Sequence, residues 1–94
     1  MGEAGYPTRA PVNYSMKLVL PAEWTELDEF SARIREHLPE DIAIRQRTAP
    51  TEPNRMPEWA ALGFSRNSGT PEELATVVER AALDARLADR FEPA

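Results

Sequence analysis

The chain has 94 residues, a formal net charge of −5, no cysteine and a single histidine, which bounds it to one domain with one modest core. The missing cysteines exclude disulfides, thiolate metal sites and cysteine nucleophiles, and the acid excess argues against general binding to phosphate backbones, which draws on clustered Lys and Arg. No apolar run is long enough to span a bilayer, and Met1 to Ser15 lacks the basic start and apolar centre of a secretory signal, so the expectation is a cytoplasmic protein without a membrane segment.

Residues 1–13 carry Gly2, Gly5, Pro7 and Pro11 without periodicity and read as a flexible arm, leaving residues 14–92 as a single domain. From Tyr14 to Leu20 the side chains alternate. Tyr14, Met16, Leu18 and Leu20 share one face, Ser15, Lys17 and Val19 share the other, and Pro21 ends a half-buried strand. Glu23 to Leu38 then places Leu27, Phe30, Ile34 and Leu38 at steps of three and four, the stripe of an amphipathic helix that Pro39 stops. Its outer face is acidic: Glu23, Glu26, Asp28 and Glu29 lie in its first half.

Asp41 to Arg47 alternates again, with Ile42 and Ile44 opposed to Ala43, Arg45 and Arg47. Residues 48–58 hold three prolines and read as a long, partly stiff loop. A third strand runs from Trp59 to Arg66, with Ala60, Leu62 and Phe64 on the core side, and Asn67-Ser68-Gly69 turns the chain into a last helix, Thr70 to Phe91. The start of that helix is the strongest local signal in the chain. Thr70 caps it, Pro71 suits the first helical position, and Glu73 completes a capping box.

The order strand, helix, strand, strand, helix predicts an α+β protein, a two-layer sandwich with both helices on one face of the sheet. This is the ferredoxin-like order β-α-β-β-α lacking the final strand. With that strand missing, Tyr14 to Leu20 is expected at a sheet edge, to be covered by the arm or by a second copy.

No cluster announces a reaction. His37 has no second histidine or cysteine at ligand spacing and no nucleophile assignable to it, and no Gly-rich phosphate loop occurs, so neither a metal, a cofactor nor an enzymatic role is expected. Three surfaces stand out instead. Strand parity puts Ser15, Lys17 and Val19, then Ala43, Arg45 and Arg47, then Trp59, Ala61, Gly63 and Ser65 on the sheet face away from the helices, a polar, basic surface with one aromatic. RNA-binding sheets stack bases on two or more aromatics, which argues against nucleic acid here. In the last helix, Leu74, Val77, Val78, Ala81, Ala85 and Ala88 form the core stripe, while Leu83, Leu87 and Phe91 recur every four residues on nearly the opposite side. That second stripe must meet the first helix, the arm or another molecule.

The expected function is therefore a non-enzymatic interaction domain, binding a protein partner or a second copy of itself as a homodimer through the edge strand, the Trp59 face or the last helix. The residues assigned to contact are Trp59, Arg45, Arg47, Leu83, Leu87 and Phe91. Two other functions fit the pattern: a small-molecule or enzymatic pocket on the open face, and an acidic inhibitor that neutralises a basic partner through Glu23, Glu26 and Glu29.

Overall fold

Alternating apolar residues can bury one side of a sheet only if something covers that side, and the two amphipathic helices do so here. The computed structural model describes residues 11–19 and 24–93. Four strands, β1 (Val12–Leu18), β2 (Ala43–Thr48), β3 (Ala60–Arg66) and β4 (Phe91–Pro93), form one sheet in the order β2-β3-β1-β4, every neighbouring pair antiparallel. The helices α1 (Leu27–Arg35) and α2 (Pro71–Asp84) share a buried cluster with Met16, Leu18, Leu62 and Phe64, so both lie on the same face. The protein is α+β, and among the described residues no helix is long and apolar enough to cross a membrane.

The arm expected over residues 1–13 lies, for residues 1–10, outside the described residues, as do Leu20, Pro21 and Glu23. Val12 and Asn13 belong to β1, whose pairing with β3 starts at Val12 opposite Arg66. β2 and β3 form a hairpin. Its ladder is extended one step beyond Thr48 and Ala60 by the Ala49 N–H, which donates to the Trp59 carbonyl at 3.0 Å, and residues 49–59 make the loop.

The first helix is shorter than its stripe. A 3-10 turn, Trp24–Glu26, precedes α1, and no side chain caps the helix at Glu26. At the other end the His37 and Leu38 amides donate to the carbonyls of Ile34 and Arg35, tightening the last turn before Pro39. Leu38 is buried from outside the helix proper. The Arg35 guanidinium donates to the carbonyls of Pro39 and Ile42, tying the connection to β2.

At the start of α2 the capping box is complete: the Glu73 amide donates to Thr70 Oγ1 at 3.1 Å and the Thr70 amide to Glu73 Oε1 at 2.8 Å. Gly69 has φ 85°, and a Cβ there would meet Glu73 Oε1 at 2.9 Å, so the turn needs a glycine.

The helix stops at Asp84 and does not continue to Phe91. Ala85 is the C-cap, Arg86 takes φ 63°, the Leu87 amide donates to the Ala82 carbonyl at 2.8 Å and the Arg86 amide to Leu83 at 3.0 Å. These two bonds make a Schellman motif with arginine in the left-handed position usually held by glycine. The freed Ala85 carbonyl accepts from Arg33 Nη2 at 2.6 Å, so Arg33 joins the two helices.

The turn brings in a fourth strand. After a 3-10 turn, Ala88–Arg90, β4 pairs Phe91 with Leu18, Glu92 with Lys17 and Pro93 with Met16. The expected absence of a final strand is thus corrected: a three-residue strand is present, and β1 lies between β3 and β4. It forms because Phe91 buries its ring edge-to-face on Phe30, centroids 6.0 Å apart at 77°, a pairing that adds about 1 kcal/mol to the burial itself.

Two predictions follow from the ends of these elements. Arg86→Gly removes the left-handed penalty of a side chain and should stabilise the fold by roughly 1 kcal/mol in denaturant unfolding. At the far end of β3, Arg66 Nε donates to Asp41 Oδ2 at 2.7 Å, and this hydrogen bond lowers the Asp41 carboxyl below its ordinary value. A carboxyl lowered on folding stabilises the protein above its unfolded value and loses that contribution as pH falls through the folded one. The midpoint difference between wild type and Arg66→Gln should therefore shrink on acidification through the carboxylate range; a constant difference would contradict the pairing.

Candidate partner-binding face

With both helices on one side, the other face of the sheet carries no helix among the described residues. Register fixes its layout. Going across the strands, Ala43, Ser65 and Asn13 form one row, Arg45, Gly63 and Ser15 the next, and Arg47, Ala61 and Lys17 the third. Adjacent strands lie about 4.8 Å apart and same-face neighbours along a strand about 7 Å apart, so this is a close grid of nine side-chain positions. The expected open-face assignment of Arg45 and Arg47 agrees with this register.

Trp59 lies just before Ala60, on the side of Ala61, and is half-buried. The Arg47 guanidinium lies 5.8 Å from its ring centroid, a cation–π contact. Stacking of this kind holds the guanidinium plane in place while its edge N–H groups stay able to donate. Ala61 is only 8% exposed despite lying on the open face, and at the same end of the hairpin Ala49 and Pro57 are buried too, outside the core cluster.

Beyond that ridge the face is hollow. A depression of about 440 Å³ is lined by Asn13, Ser15, Arg45, Arg47, Gly63 and Ser65. Gly63 makes the floor. A Cβ placed there would meet the Arg45 carbonyl at 3.8 Å and Ser15 Oγ at 3.9 Å, ordinary contacts, so packing does not demand glycine and its effect is the space it leaves. Asn13, expected in the arm, joins Ser15, Gly63 and Ser65, which strand parity places on this face, in a site whose assigned contact residues were the two arginines and the tryptophan. The available signal was the alternation of small residues along β3.

Charge is segregated between the layers. The four strands contain Lys17, Arg45, Arg47 and Arg66 against one carboxylate, Glu92, although the whole chain is acidic. Arg66 is neutralised by Asp41. Among the described residues, Arg45 and Lys17 make no ion pair, and Arg47 makes only its contact with Trp59.

The remaining candidates separate. Leu83 is 61% exposed, whereas Leu87 and Phe91 are buried, at 2% and 7%. The stripe expected to unite them assumed one continuous helix, and the turn at Arg86 sends the last two into the core. His37 is exposed just after α1, and among the described residues no group of three His, Cys, Asp or Glu could hold a metal ion. Of the acidic residues, Glu26 and Glu29 are exposed, and Asp28 accepts from Gln46 of β2. A smaller groove beside β1, about 250 Å³, includes Tyr14, Glu79 and Phe91 in its lining. There the Tyr14 hydroxyl donates to Glu79 Oε2 at 2.7 Å, and burial first, then this hydrogen bond and the negative charge, push the phenol up to about 12. Its polar pair is already satisfied.

Truncating the buried and the exposed member of the former stripe should give opposite results: Phe91→Ala costs about 3–5 kcal/mol in denaturant unfolding, and Leu83→Lys stays within about 0.5 kcal/mol of wild type. Comparable losses at both positions would contradict the turn at Arg86. Comparison of the chain with protein-family models, with curated proteins and with solved structures found no match, so the function of this face is argued from its own geometry.

Proposed function

We propose that this chain is a non-enzymatic protein-contact domain that engages a partner through the open sheet face. The supporting observation is the uncovered grid around Gly63, with Trp59 and Arg47 stacked at its border and three cations projecting from it. Trp and Arg are enriched among interface anchors, Trp because it buries a large rigid area and Arg because its planar fork makes several hydrogen bonds, and the small residues between them let a partner backbone approach. The strand order β2-β3-β1-β4, with both helices on one face, supports reading the sheet as ferredoxin-like with a short last strand.

The chemistry on the face favours contact over catalysis. Its hydroxyls, Ser15 and Ser65, have no histidine or carboxylate beside them in the register grid to act as a base. A partner other than a second copy is favoured as well, since two-fold pairing of this face would set one cationic patch against an identical one.

A photoreactive benzoylphenylalanine tests the reading in cells that express the protein. Placed at Ala43, on the rim of the face, it should give covalent protein adducts that Arg47→Glu abolishes; placed at Thr76, exposed on α2, it should give none. Adducts of twice the chain mass would make the partner a second copy. Equal labelling from both positions, or none from Ala43, would sink the proposal.

A further inference from the structure

Resting on that reading, we propose that the partner is an acidic one: an extended protein segment that lies across β2 and β3 and seats a carboxylate in the Gly63 hollow between Arg45 and Arg47. Three observations carry this. The first is charge. A chain with net charge −5 keeps its strands basic, and on this face Arg45 and Lys17 have no ion-pair partner among the described residues. Two arginines about 7 Å apart on one strand repel, and an anion between them turns that repulsion into attraction.

The second is donor geometry. A carboxylate only accepts, and the hollow is lined by residues whose side chains can donate to it, Arg45 and Arg47 on β2 with Ser15, Ser65 and Asn13 on the neighbouring strands. The Asn13 side-chain amide already donates to the Pro11 carbonyl at 3.3 Å and has a second N–H to give. Arg47, oriented by Trp59, is suited to the planar, two-point recognition that carboxylates allow.

The third is space. Gly63 leaves open the one position in the middle row where any side chain would fill the floor, although a Cβ there meets no atom closer than 3.8 Å. A long polyanion fits less well. Asp28, Glu29, Glu72, Glu73 and Glu79 on the helical layer would repel its ends, and one tryptophan gives a single base-stacking position, whereas a short acidic strand across β2 and β3 stays beside Arg45 and Arg47, away from Glu92, the carboxylate that shares this face opposite Lys17.

The probe is a fluorescein-labelled peptide of alternating Glu and Val, whose carboxylates share one side when extended. Two controls accompany it, the same peptide with Gln for Glu and a labelled oligothymidine, all followed by fluorescence anisotropy at low ionic strength. The Glu peptide should bind at least roughly tenfold more tightly than either control, and its affinity should fall with added salt. Arg45→Glu and Gly63→Val should each weaken it by roughly tenfold or more while keeping the wild-type unfolding midpoint, because Arg45 is exposed and a Cβ at position 63 finds room. Equal binding of the Gln peptide, tighter binding of the oligothymidine, or indifference to both substitutions would overturn the acidic partner. If adducts from Ala43 persist while the Glu peptide fails, protein contact stands and its acidic chemistry falls; if both fail, the face itself is misassigned.

Discussion

The hydrogen bond from the Leu87 amide to the Ala82 carbonyl, at 2.8 Å, is the constraint on which the C-terminal quarter of the molecule depends. It turns the chain out of α2 through Arg86, drops Leu87 into the core, and aims the next residues back at the sheet. Phe91 then reaches Phe30, and Glu92 and Pro93 pair with β1. Had the helix run on, Phe91 would lie on its outer side and β1 would form an edge along its whole length. One backbone turn thus decides both the apolar content of the core and the number of strands.

That turn is held from two sides. Arg33 donates to the Ala85 carbonyl, so the end of α2 is tied to α1 by a charged donor at a helix C-terminus, where the dipole favours it. Burial of Leu87 and Phe91 offsets the cost of placing an arginine in the left-handed region, which is about 1–2 kcal/mol for a residue with a Cβ. Packing wins over backbone preference here because two large apolar side chains outweigh one strained residue.

The same one-sided packing creates the functional candidate. Both helices and the C-terminal turn crowd the face of Met16, Leu62 and Phe64, so the opposite face is left to the strands and to the hairpin end at Trp59. What they give is basic and small-grained, bordered by Trp59 stacked on Arg47. Among the strand residues, the open face carries Lys17, Arg45 and Arg47 against the one carboxylate Glu92 opposite Lys17, while α2 carries Glu72, Glu73, Glu79 and Asp84 against Arg80. For the acidic partner proposed above, that contrast would orient an encounter before contact is made.

Local chemistry was enough for the sequence to determine the capped start of α2, where Thr70, Pro71 and Glu73 satisfy the orphan amides among themselves. Alternation was enough for β1, β2 and β3 and for the parity that puts Arg45, Arg47 and Trp59 on the open face, since side-chain direction in a strand follows position alone. It reached neither the end of α2 nor β4. Ala85, Arg86, Leu87 and Ala88 are all compatible with helix, and nothing among them resembles a glycine or proline stop. Only the tertiary structure decided that the chain turns at Arg86, because the benefit lies in burying Leu87 and Phe91 against residues far away in the chain. Only it could convert Gly63, neutral in the sequence, into the floor of a hollow, because that emptiness belongs to Ser15 and Arg45 on the neighbouring strands.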